Sequence, residues 1–216
     1  MSDESRLETA EEFHARVAAA TDAEGRLPVA FEEMPGWDIF PFELDGLRIK
    51  PLQPLADAEP ARRGEDPADC WCHQEEVPAR IADNVLWSNE RWLVTLDHQM
   101  RLPMSCNLMP REHCDLGAVP SHLSGEMGAL IVALSAAIES LPSVGRSQLA
   151  KYGDGGAHLH LFFFGRPDRM LQLRGSTMLD WEENLPAVPL EVLRANAAYV
   201  AEQLVDAVGG DGPVWA

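Results

Sequence analysis

Residues 153–167 read GDGGAHLHLFFFGRP. Gly153, Asp154, Gly155 and Gly156 predict a flexible turn, and His158–Phe164 a strand after it. Side chains alternate between the two faces of a strand. His158, His160 and Phe162 therefore share one face, and Leu159, Leu161 and Phe163 share the other and are expected to pack on the core. Two histidines side by side next to a glycine turn are an uncommon way to fill a core, because each buried ring needs polar partners. Two chemistries suit the pair. One imidazole can act as a nucleophile on phosphorus with the other supporting it, since a neutral ring nitrogen is available near pH 7. The glycines then let backbone N–H groups approach phosphate oxygens. Alternatively, His158 and His160 together bind a metal from a strand.

Upstream, Arg91–Leu96 and Ser105–Met109 read as short apolar strands, the second stopped by Pro110. Leu123, Met127, Leu130, Ile131, Leu134, Ile138 and Leu141 recur at helical spacing, which predicts a helix over 123–141. Ser121 or Ser124 can cap its start, and Pro142 ends it. Downstream, Leu193, Ala197, Val200 and Leu204 mark a last helix over 189–208. Strand, strand, helix, strand, helix suggests an α+β domain with an antiparallel sheet. It is expected to span residues 70–216. Residues 1–69 are read as an extension packed on it, with a helix over 10–20, a strand-like run over 47–52 and a Pro- and charge-rich linker over 55–69.

The chain has 216 residues and 46% hydrophobic content, enough for one substantial core. Its formal charge of −18 argues against a general nucleic-acid binder, whose phosphate partner would be repelled. A small nucleotide needs only a local cluster of donors. No unbroken apolar run is as long as a membrane span, and the acidic N-terminus does not resemble a secretion signal. With four cysteines (Cys70, Cys72, Cys106 and Cys114), a cytoplasmic protein without a disulfide framework is expected. Cys106 and Cys114 are expected to be small core residues.

The 158–166 stretch resembles the histidine triad signature: His, apolar, His, apolar, His, two apolar residues, then Pro-Arg. His158 and His160 match the first two histidines. Phe162 stands in the third place, and Gly165-Arg166 stands for Pro-Arg. The family's Pro-Lys-x-His element has its counterpart in Pro110-Arg111-Glu112-His113, and its Cys-x-x-Cys element in Cys70-Trp71-Cys72-His73. The resemblance covers roughly residues 70–167. It implies a sheet with a long helix packed on it, a nucleotide ligand and a homodimer. It also implies that His160 takes a nucleoside phosphate from its leaving group and passes it to water or a second acceptor, with His158 in support. Gly155 and Gly156 would lie against the phosphate, beside Phe162, and Arg166 would offset its charge. Arg169 and Arg174 follow Arg166 in sequence and are further candidates for that charge. Residues 85–96 would face the base, where Trp87 and Trp92 are candidates against a plain core role.

The main departure is Phe162, which cannot donate a proton or a hydrogen bond. Related galactose-1-phosphate uridylyltransferases carry glutamine at that place. The expected activity is thus a nucleotidyl hydrolase or transferase. The alternatives are a nucleotide-binding or regulatory module with little or no turnover, and a metal-dependent enzyme using His158 and His160. Some family members hold a structural zinc, and the corresponding residues are Cys70, Cys72, His113 and His158. Their sulfur and nitrogen donors suit that ion. Asp180-Trp181 is expected to anchor the last helix against the sheet.

Overall fold

The computed structural model describes residues 7–23, 26–27, 58–175 and 177–215. The strand-like run over 47–52 lies outside them. Five strands form one antiparallel sheet: β1 Val85–Ser88, β2 Trp92–Leu96, β3 Met104–Pro110, β4 Val144–Ala150 and β5 Leu161–Pro167, in the order β1-β2-β3-β5-β4. The helices are α1 Ala10–Ala18, α2 Ala79–Ala82, α3 Ser121–Glu139, α4 Thr177–Glu182 and α5 Leu190–Val208. This is the expected α+β architecture, a sheet carrying a long helix and a C-terminal helix.

The apolar run of β5 places it inside the sheet, between β3 and β4, with Phe163 and Phe164 both buried. Helix α3 packs beneath it through Leu130, Leu134 and Ile138. Gly165 permits that approach, because a Cβ there would stand 2.9 Å from Val144 Cγ2 and 3.4 Å from Ile138 Cγ2. Helix α5 buries Leu193, Ala197, Val200 and Leu204 in the same core. Helix α1 joins it too. A capping box between Thr9 and Glu12 starts that helix, and its Phe13 and Val17 are buried among the domain's apolar residues. Among the described residues, only α3 is long and apolar enough to cross a membrane by composition; here it is the helix under the sheet.

Two expectations change, and one strand was not anticipated. The edge strand β4, VGRSQLA, carries no apolar alternation, because an edge strand with half-exposed side chains needs none. Helix α3 begins behind Pro120 with no side-chain cap, and Ser124 Oγ donates to the Ser121 carbonyl instead. Trp181 is 38% exposed rather than buried as an anchor; Met178, Glu182 and Leu185 are the buried residues of that segment. Trp87 and Trp92 are fully buried, in the plain core role weighed for them.

Trp92 also helps tie the β1–β2 hairpin to α3. The Glu126 carboxylate accepts from Trp92 Nε1 at 3.0 Å, Asn89 Nδ2 at 3.0 Å and Arg91 Nε at 2.6 Å. Arg91 above all holds the Glu126 carboxyl below its ordinary range. A carboxyl depressed in the folded state stabilises fully above its unfolded value of about 4.3 and loses that effect as pH falls through the folded value. Glu126→Gln is therefore expected to cost about 1 kcal/mol in urea unfolding at pH 7, after discounting for solvent screening. The gap between parent and variant should close below about pH 4. A gap that persists unchanged at acid pH would rule out the carboxylate as its source.

Candidate functional site

The two histidines lie just before β5, which begins at Leu161, three residues later than the expected strand. Pro110 ends β3 and has no N–H to extend the ladder. Leu159 N donates instead to the Cys114 carbonyl at 2.7 Å. The alternation still holds, since Leu159, Leu161 and Phe163 enter the core while His158, His160 and Phe162 line a cleft on the other side.

Backbone carbonyls set both tautomers. His158 Nε2 donates to the Pro110 carbonyl at 2.8 Å, which leaves Nδ1 without a proton. Burial pulls the His158 pKa down to about 4, so the ring is neutral near pH 7. His160 Nδ1 donates to the His158 carbonyl at 2.8 Å. Its Nε2 is then the nitrogen with a free lone pair, on a half-buried ring that faces the cleft. Phe162 stands edge-on to that ring, with centroids 4.9 Å apart.

The cleft encloses about 600 Å³, within the usual range for small-molecule sites. Its floor is the sheet face bearing Thr95, Asn107 and Met109, and its wall is the segment from Arg63 to Gln74. That segment runs beside the glycine turn: Arg63 and Gly156 form a parallel bridge, Arg63 N donates to the Gly155 carbonyl at 3.2 Å, and Ala157 N to the Arg63 carbonyl at 3.0 Å. Asp115 fixes it from below, taking Arg62 Nη1 at 2.7 Å and Lys151 Nζ at 2.9 Å. Burial pushes the Asp115 carboxyl up, but these hydrogen bonds outweigh it and hold the group well below the carboxylate range. In a chain of charge −18 the cleft carries Arg63 and Arg80 against Asp69 and Asp97. Its local balance therefore does not repel a small anion as the rest of the surface does.

Beside the cleft, Cys70, Cys72, His113 and His158 bring one donor atom each to within 4.8 Å of one another. Cys70 Sγ is 3.3 Å from His158 Nδ1, and Cys72 Sγ is 3.5 Å from His113 Nδ1. Tetrahedral zinc with Zn–S of about 2.3 Å and Zn–N of about 2.0 Å separates its donors by roughly 3.3–3.8 Å. The residues fit a metal ion, and the Pro110 carbonyl supplies the outer partner that fixes a histidine ligand's tautomer. A 3-10 turn over Trp71–His73 follows Cys70, and both thiols of the Cys-x-Cys pair reach the cluster. Burial pushes the Cys72 thiol up to about 12.

The structure brings together His158, His160, Phe162 and Gly156, and the four metal-ligand candidates. It does not bring Arg166 or Gly155 to the cleft wall. The Arg166 guanidinium is buried against the Pro167 and Met170 carbonyls, and Gly155 offers its carbonyl to Arg63. Arg169 pairs with Glu11 and Asp168, and Arg174 Nε bonds the Leu171 carbonyl. Cys106 and Cys114 are core residues, and burial pushes both thiols up. Sequence reading missed Arg63, Asn107 and Asp97. Arg63 carried no signal beyond being a cation in a linker. Asn107 had one: with Ser105 it is one of two polar residues in a strand whose other members are apolar.

No protein-family model matches the chain, and no curated protein matches it. Solved structures do. A zinc-bound histidine triad family protein from Mycobacterium smegmatis is 16% identical over 56% of this chain and 84% of its own, with a TM-score of 0.40. A HIT-like protein from Bartonella henselae, described as involved in cell-cycle regulation, is 14% identical over 67% of this chain and 99% of its own, with a TM-score of 0.45. A uridylyltransferase is 14% identical over 60% of this chain and 45% of its own, with a TM-score of 0.39. In fold, the chain resembles these histidine triad and HIT-like proteins over part of its length.

Proposed function

We propose that the chain is a nucleotidyl hydrolase or transferase that works through a covalent intermediate on His160. The observation that carries this reading is the His160 tautomer: Nδ1 is committed to the His158 carbonyl, so Nε2 keeps its lone pair inside a cleft of nucleotide size. In the first step Nε2 forms a bond to phosphorus and the bond from phosphorus to the leaving group breaks, its electron pair going to that group. In the second step the oxygen of water or an acceptor hydroxyl attacks phosphorus, loses its proton to solvent, and Nε2 departs with its electron pair. Gly156 lets the phosphoryl group come close, and Arg63 offsets its charge. Phe162 has no proton to give, so the leaving group takes one from solvent.

In this reading Cys70, Cys72, His113 and His158 would hold a zinc ion, whose bonds would pin two other chain segments to the stretch that ends in His160. His160 is outside that cluster, which disfavours a metal-dependent enzyme built on the two histidines. Pairing of two chains is proposed through α3, whose outer face exposes Gly128, Ala129, Val132 and Ala136 in an apolar stripe. The test is intact-protein mass during brief exposure to adenosine and guanosine 5′-phosphoramidates. A transient mass gain of one nucleotidyl group supports the reading. Nucleotide binding with neither adduct nor product would leave a binding module.

A further inference from the structure

Asn107 is an unusual residue for its place. It sits in the middle of β3, an interior strand, where asparagine is a poor strand former. On one side it pairs with Thr95, on the other with Phe162. Its Oδ1 is buried and has no hydrogen-bond partner. An unpaired buried carbonyl destabilises the fold, and a leucine at the same place would avoid that. Asn107 also lines the cleft that holds His160 and Phe162.

The chemistry at that point needs what Phe162 lacks. A phosphoryl group on His160 presents its oxygens to the surrounding walls, and each does best with a donor. Phe162, edge-on to the His160 ring, offers none. Directly opposed side chains on neighbouring antiparallel strands stand about 4.5–5.5 Å apart at Cβ. Asn107 is thus the polar side chain opposite the phenyl ring, and its terminal torsion is soft enough to turn either end of the amide toward an occupant.

Resting on the nucleotidyl-transfer reading, we infer that Asn107 is the side chain that hydrogen-bonds the phosphoryl group next to His160, doing from β3 what a polar residue at 162 would do from β5. The Nδ2–H group donates to a phosphoryl oxygen or to the departing atom. With Oδ1 bound to no partner, no hydrogen bond of that oxygen holds the amide back from presenting its Nδ2–H group to an occupant of the cleft. Because Asn107 and residue 162 serve one function from two strands, a histidine at 162 restores what loss of the amide removes.

The test compares the parent, Asn107→Ala, Phe162→His and the double variant. Each is assayed for turnover of adenosine and guanosine 5′-phosphoramidates, for affinity toward AMP and GMP by calorimetry, and for melting temperature. Asn107→Ala is expected to lower kcat/KM about 30- to 100-fold with an unchanged or higher melting temperature. The double variant is expected to recover at least tenfold of that loss. Turnover by Asn107→Ala within twofold of the parent overturns the inference and leaves the His160 reading intact. A loss that Phe162→His does not relieve overturns it too, since a merely structural asparagine behaves that way. If the parent shows no turnover but binds AMP or GMP, a tenfold loss of that affinity in Asn107→Ala sustains the amide–phosphate contact while the covalent reading falls. Unchanged affinity there, or no nucleotide binding by the parent, sinks the inference.

Discussion

His160→Asn is expected to retain nucleotide binding and to lose at least ~10³-fold in kcat. The asparagine is chosen for geometry. Its amide falls where the imidazole Nδ1 stands, so the bond to the His158 carbonyl can be kept and the chain around it need not move. What disappears is Nε2, the atom proposed to attack phosphorus. If that atom forms the covalent bond, its removal ends the two-step route altogether. Turnover should fall to the level set by positioning and charge alone, and the transient nucleotidyl adduct should vanish from the mass spectrum. Affinity for AMP or GMP should change by less than about threefold, because Gly156, Arg63 and Asn107 remain. Turnover that survives at more than a tenth of the parent rate would show that His160 is not the nucleophile. A variant that binds no nucleotide would show instead that the imidazole serves as a ligand contact.

Much of this site was legible because strand alternation is rigid. Once β5 is recognised, a period of two puts His160 and Phe162 on one face and Leu161 and Phe163 on the other. The alternation survives even though pairing with β3 stops at Leu108 and Leu161. The core helices were legible for the matching reason, since α3 and α5 repeat their apolar residues at helical spacing. What stayed hidden depends on long-range approach. Arg63 sits 93 residues before Gly156 in a linker-like stretch, and only the bridge between them makes it a cleft residue. Arg166 looked better placed because it follows the motif, yet the sheet turns it toward the Pro167 carbonyl. Asp97 lies just past the end of β2, and nothing local distinguishes it from a surface acid. β4 escaped notice because half-exposed edge strands carry a weak pattern.

Electrostatics and fold also need each other here. Asp115 holds Arg62 and Lys151, and the same strap carries Arg63 and leads into Cys70. The linker's last residues are therefore fastened at three points within a few residues: an ion pair, a backbone bridge and a thiol facing His158. A segment so tied forms one wall of the cleft, although its composition reads as loop.

Removing metal is expected to have the second large effect. The purified chain should carry one zinc per molecule, and His113→Ala or Cys72→Ser should carry almost none. Two pairs of donors, 3.3 Å and 3.5 Å apart, already stand at tetrahedral spacing, so little rearrangement opposes binding. When free zinc exceeds its dissociation constant about 1,000-fold, linkage adds about 4 kcal/mol to folding stability. For a chain of this size that corresponds to roughly 8–16 °C in Tm. Chelation should therefore lower Tm by about that amount, and readdition of zinc should restore it. Activity should follow the metal even though His113 does not line the cleft. The path is through His158, whose Nδ1 faces Cys70, whose Nε2 binds the Pro110 carbonyl, and whose own carbonyl holds the His160 ring. Loosening the first of these lets the last drift, and a nucleophile displaced by about 1 Å can cost a hundredfold in rate. His160→Asn, by contrast, should keep its zinc and its melting temperature while losing turnover. Chelator-insensitive Tm with no bound metal would leave the four residues as a thiol–imidazole cluster and would remove this explanation of how His160 is held.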